Sequence, residues 1–222
     1  MLLAGRDGPG AVSQHRRVLE HARRGDVSHV VKLSAIGASA ASPISLMREH
    51  EAVDELVRGS GASVTLLKPQ LYMQNLLRAA GAVRRDGVLA APMGTGRYPL
   101  VYTRDVGAAA AAVLADPAAH TGAAHLLTGP QDVTYADVAA AIAAVAGRRV
   151  EYEPVEPGVY EERLLATGLP AWRAFDLAHI AAAYAAADHD VSPDIESLLG
   201  RPPRSLAEFL ADHGDAFRPA HS

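Results

Sequence analysis

The chain has 222 residues, enough for one sizeable domain or a domain with a small appended lobe. Its 21 basic and 25 acidic residues leave a formal net charge of -4, which gives no electrostatic footprint for nucleic acid or anionic lipid. The absence of cysteine excludes disulfides, thiolate metal ligands and thiol nucleophiles, and is compatible with a cytoplasmic location. The longest apolar run, Gly107 to Ala115, is alanine-rich and far too short to span a bilayer.

In chain order, MLLAG reads as a short strand, and residues 13 to 24 (SQHRRVLEHARR) as a helix closed by Gly25. The run from Ser28 to Ala35 is a strand, Pro43 to Arg58 a helix, and SVTLLK from Ser63 a strand; this alternation is the signature of parallel βαβ units. After Pro69, Leu71 to Arg84 reads as a helix and Tyr98 to Tyr102 as a strand. Asp105 then caps an alanine-rich helix, and HLLT from His125 is a further buried strand. The last third changes character. Thr134 starts a helix closed by Gly147, Arg149 to Pro154 is a short strand, and Val159 to Thr167 and Ala171 to Ala187 are helical. Ser192-Pro193 starts a helix stopped by Gly200, and Ser205 with Glu208 forms a capping box for the final one. The expectation is an α/β fold: a truncated Rossmann-like parallel sheet with helices on both faces (residues 1–130), plus a small, mainly helical lobe (residues 131–222) packed on it.

The glycines Gly5, Gly8 and Gly10 lie between a strand and a helix, where a dinucleotide phosphate turn would sit. Their spacing is G-x-x-G-x-G, Pro9 removes a backbone donor from the middle of the turn, and the next strand ends in Ser34-Ala35 rather than in a ribose-reading charge. They are read as a strand's exit loop. Gly94-Thr95-Gly96 precedes a strand without a helix N-terminus and is read as a turn.

Five strings carry a family resemblance: HVVKLSAIGAS (29 to 39), SVTLLKPQLYMQNLL (63 to 77), GVLAAPMGTGRYPLVYTRDVGAAAAAVL (87 to 114), HLLTGPQDVTYADVA (125 to 139) and GRPPRSLAEFLADHGDAF (200 to 217). In order and spacing they resemble the NmrA-like branch of the atypical short-chain dehydrogenase/reductases, which includes NAD(P)H-dependent quinone and azo-dye reductases and regulators that sense NAD(P). The resemblance implies a Rossmann-like sheet in which the first string is the fifth strand and the second the sixth. It also implies that the first βαβ unit, with its G-x-x-G-x-x-G turn, is absent from this chain.

On that resemblance, the cofactor side of the cleft is Ser34, Ala35 and Ile36 after one strand, and Lys68, Pro69, Gln70 and Leu71 at the end of the next, with Lys68 standing where the family usually has Arg. Tyr72 and Asn75 would orient a planar substrate. Ser34 sits where a superfamily hydroxyl polarises the substrate carbonyl, or else satisfies loop backbone. The superfamily's Tyr-Lys pair falls on Leu46 and His50 and is therefore missing. His50, spaced to face inward with Asp54 one turn on as a partner for its ring, is either a proton-handling group or a packed core histidine. The catalytic candidates are Ser34, His50 and Tyr72. No metal-ligand spacing is present.

Two functions are compatible with these residues. One is an NAD(P)H-dependent reductase of a quinone-like or other small planar acceptor, using NADP or NAD. The other is a protein without functional dinucleotide binding: a cofactor-independent non-redox enzyme reusing the cleft, or an NmrA-type regulatory or binding module. An exposed MLLAG edge predicts a homo-oligomer or a partner that covers it.

Overall fold

The structure is a computed structural model that describes residues 1–185 and 190–219. Its elements are β1 (Leu2–Leu3), α1 (Ala11–Arg24), β2 (His29–Leu33), α2 (Ser45–Arg58), β3 (Ser63–Pro69), a 3-10 helix (Met73–Ala79), α3 (Ala80–Asp86), β4 (Val88–Ala91) and β5 (Arg97–Tyr98). There follow α4 (Thr103–Ala115), a 3-10 turn (Pro117–His120), β6 (Ala124–Leu127), β7 (Val133–Thr134), α5 (Tyr135–Ala146) and β8 (Glu151–Pro154). The chain continues through α6 (Pro157–Ala166), α7 (Ala171–Ala185), α8 (Asp194–Leu199), α9 (Leu206–His213) and a last 3-10 turn (Gly214–Phe217). The expected extension of α7 to Ala187 lies outside the described residues.

The central sheet is parallel, in the order β1-β2-β3-β6. Its strands are short and rich in Val and Leu because both faces are covered. Alternation along β2 sends Val30 to one side, where it packs with Leu19, Val53 and Val57 of α1 and α2. Val31 goes to the other side, against Val106, Ala109 and Val113 of α4 and Ile195 of α8. Lys32 and Ser34 share the Val30 side and so face α2. Two small pairings tie the later chain to the earlier: β4 runs parallel to β8, and β5 antiparallel to β7. No helix among the described residues is long and apolar enough to cross a membrane.

Both capping boxes form, Thr134 with Asp137 on α5 and Ser205 with Glu208 on α9. Three expectations need correction. The helix expected from Leu71 to Arg84 begins later and starts as a 3-10 helix, because Leu71 and Tyr72 stay extended to bond the Val101 segment. The expected strand Tyr98 to Tyr102 is only Arg97–Tyr98, followed by the bridge at Val101. Asp105 does not cap α4: it lies within the first turn, fully buried, and its carboxylate is held by Arg201, by the Arg204 guanidinium and by the Arg204 backbone N–H at 2.6 Å. That clamp anchors the C-terminal segment to the sheet layer.

Candidate functional site

In an open parallel sheet, the crevice outside the carboxyl ends of the strands is the ordinary ligand site. Here the chain leaves β1 at Ala4, β2 at Ser34 and β3 at Pro69, and these three exits border a cavity of about 640 Å³. Ser34, Ala35, His50, Pro69, Gln70, Leu71, Tyr72 and Asn75 all line it. Ile36 and Lys68 do not: Ile36 is buried in the core with its N–H on the Pro69 carbonyl, and Lys68 is half-buried outside the wall. Opposite the strand ends, α6, α7 and the loop between them roof the cavity through Tyr160, Leu164, Leu169, Leu177 and Tyr184.

The wall on the α2 side holds a polar cluster. Lys32, 1% exposed, places Nζ 2.8 Å from the Leu33 carbonyl, 2.9 Å from His50 Nδ1 and 3.3 Å from Asp54 Oδ1. Ser34 Oγ donates to Asp54 Oδ2 at 2.6 Å. Asp54, expected to hold the His50 ring, instead takes Ser34 and Lys32, and the ring faces the ammonium. The cause is the pleat: residues 32 and 34 point the same way, directly at the carboxylate one helical turn beyond His50. Burial first, and then the positive charge of Lys32, lower the His50 pKa to about 3, so the ring is neutral. Burial likewise lowers the Lys32 pKa, with Asp54 opposing that shift. Burial and the nearby Asp7 carboxylate raise the Tyr72 phenol to about 12, so its proton stays on.

The glycine loop has its own occupant. Gly8, at φ +115°, directs its N–H to Glu49 Oε2 at 3.0 Å, and a Cβ there would meet the Trp172 ring at 2.7 Å. These glycines allow a tight turn under Trp172 and present an amide that a carboxylate already uses. Glu49, Asp7, Arg173 and above all Lys32 are wall residues that sequence reasoning did not single out. The available signal was Lys32 itself, a charge inside a strand otherwise buried on both faces.

The chain matches the NmrA-like family over residues 28–210. It belongs to the NmrA-like family. It is 33% identical to the NAD(P)H azoreductase of Xenophilus azovorans over 216 residues, 96% of this chain and 74% of that protein. It is 30% identical to quinone oxidoreductase 2 of Escherichia coli strain K12, over 89% of this chain and 69% of the relative. Among solved structures, the Escherichia coli NADPH-dependent quinone oxidoreductase in complex with NADPH superposes with a TM-score of 0.86 at 29% identity, covering 96% of this chain and 75% of that one. A Citrobacter triphenylmethane reductase shares the fold, with a TM-score of 0.82 at 24% identity. The α/β architecture read from the alternating strands and helices is thus that of the NmrA-like reductases.

Proposed function

We propose that this protein is an NAD(P)H-dependent reductase of quinone-like or other small planar acceptors. The observation that carries the proposal is the cavity at the strand ends: about 640 Å³, roofed by leucines and tyrosines, with a few polar groups converging from β2, β3 and α2. Its NADPH- and NAD(P)H-using relatives point the same way.

A nicotinamide ring needs a flat, largely apolar slot with amide-binding groups at one edge, and the segments Ser34–Ala35 and Pro69–Leu71 meet that need. Arg6, Arg78 and Arg173 also line the cavity, Arg173 3.7 Å from Asp7, and would offer positive charge to a phosphate-bearing cofactor. When bound, reduced nicotinamide supplies a hydride, two electrons with one proton, to the acceptor. The chain's part is to hold the acceptor plane with Tyr72 and Asn75, to exclude water with Leu164, Leu169 and Leu177, and to offer hydrogen-bond donors to the acceptor.

The second reading, a module or non-redox enzyme without dinucleotide, is favoured by one contact: the Gly8 amide is engaged by Glu49 rather than left for phosphate. Titration of the 222-residue chain with NADPH and NADH, followed by Trp172 fluorescence, separates the two. Micromolar binding with cofactor oxidation on adding menadione is expected; no binding at millimolar cofactor refutes the reductase. We also propose that a second copy or a partner element covers β1, whose outer side carries no strand among the described residues and whose Leu2 is 44% exposed. A monodisperse monomer in light scattering would contradict this.

A further inference from the structure

We infer that His50 presents its Nε2–H to the cavity as a hydrogen-bond donor for a carbonyl oxygen of the acceptor, and that Lys32 is the positioning residue that fixes this tautomer. The identity of the acceptor rests on the reductase reading; the tautomer does not.

An ammonium has three N–H groups and no acceptor. Lys32 Nζ is within hydrogen-bond distance of the Leu33 carbonyl and of His50 Nδ1, and the ammonium forms an ion pair with Asp54 Oδ1 at 3.3 Å. Asp54 is fully buried, and a neutral Lys32 would leave it a buried charge without a cation, so the ammonium form is retained. His50 Nδ1 must then accept, and in a neutral imidazole the remaining proton sits on Nε2. That nitrogen has no partner among the described residues, is not sealed from solvent, and belongs to a ring that lines the cavity.

The neighbouring groups leave His50 this role. The Ser34 hydroxyl proton is committed to Asp54, so toward the cavity Ser34 can only accept. Within the Lys32, Ser34, His50 and Asp54 cluster, the proton available to a ligand is therefore the one on Nε2. An ammonium behind the ring polarises that N–H and strengthens it as a donor. A neutral imidazole donor stabilises negative charge developing on an oxygen without surrendering its proton. The acceptor class is accordingly a molecule with a conjugated carbonyl, such as a quinone or an enone.

The test is a long-range proton–nitrogen NMR correlation on the full chain with 15N-labelled histidine, between pH 5 and 8, with His50→Gln assigning the signal. The charged groups acting on the ring are Lys32 from β2, Lys68 from β3 and His15 from α1, while Asp54 on α2 and Asp7 from the β1 exit loop act on Lys32 behind it. Asp176 from α7 is engaged by the N-terminus of α2. The expected spectrum is a neutral Nε2–H tautomer throughout, whose Nε2 proton moves downfield when menadione is added without cofactor. A neutral Nδ1–H tautomer, an imidazolium at pH 7, or a signal unmoved up to the solubility limit of menadione overturns the inference. So does a cationic triarylmethane dye without a carbonyl that moves the signal as far as menadione does. The Lys32→Met/Asp54→Asn pair, which removes both buried charges together, should give mixed tautomers in a folded chain; a single Nε2–H tautomer there removes Lys32 from the proposal. A chain with the expected spectrum and menadione shift that oxidises neither NADPH nor NADH leaves this inference standing and ends the reductase reading.

Discussion

Asp176 of α7 caps helix α2 by bonding Ser45, across a sequence separation of 131 residues. Its carboxylate accepts from the Ser45 N–H at 2.9 Å, the Leu46 N–H at 3.0 Å and the Ser45 hydroxyl. The residue in the N-cap position, Ile44, offers no side-chain acceptor, so the cap comes from the cavity roof. Asp176→Ala leaves two backbone N–H groups without a partner in a poorly hydrated place and should cost about 1–3 kcal/mol. Thermal melting checks this; about 2–4 °C per kcal/mol is expected for a chain of this size. Because α7 roofs the cavity and α2 carries His50, cofactor affinity should fall in the same variant, measured by Trp172 fluorescence. Asp176→Asn, which keeps one acceptor oxygen, should lose less of both.

Lys32 and Asp54 form a buried pair with side chains 2% and 0% exposed. Lys32→Met strands the carboxylate and should destabilise the fold by about 3–5 kcal/mol. Adding Asp54→Asn should recover most of that loss, since the cost lies in the uncompensated charge and not in the missing contact. Urea unfolding of the two variants decides the matter, and equal midpoints would contradict it.

His50 makes the fold acid-sensitive. The unfolded ring titrates near 6.5 and the folded one near 3, so between these pH values the unfolded chain binds a proton that the folded chain does not. Stability from this group is fully present above about pH 6.5 and falls as pH drops toward 3, at up to ~1.4 kcal/mol per pH unit. His29 and His125 are also lowered, chiefly by burial, and add in the same direction. Urea midpoints from pH 7 to 4 should therefore decline less steeply in His50→Gln than in the parent chain.

Asp105 should be among the most sensitive residues outside the cavity. Asp105→Ala leaves Arg201 and Arg204 facing each other and the half-buried Arg204 amide without its acceptor, for an expected loss of about 3–5 kcal/mol. Arg201→Ala should cost clearly less, because the Arg204 side chain and backbone still hold the carboxylate and Arg201 is partly in solvent. Thermal melting of both variants tests the ranking.

The sequence by itself determined the elements whose cause is local. Short apolar, β-branched runs alternating with helical patterns marked β2 and β3, Thr134-Asp137 and Ser205-Glu208 marked two helix starts, and Gly147 and Gly200, at positive φ, marked two helix ends. It also pointed to the strand-end residues that line the cavity, because parallel strands deliver their exits to one side of the sheet. What it could not determine is where charges go once helices pack. The Lys32 ammonium meets His50 and Asp54, 18 and 22 positions away, only because the pleat of β2 and the face of α2 come together. Asp105 reads locally as a cap and becomes a clamp when the C-terminal arginines arrive. The Gly8 loop reads only as a strand's exit loop, and its amide becomes a donor to Glu49 once α2 packs beside it. Each depends on desolvation: a buried charge takes the nearest opposite charge or donor in space, and tertiary packing decides which that is.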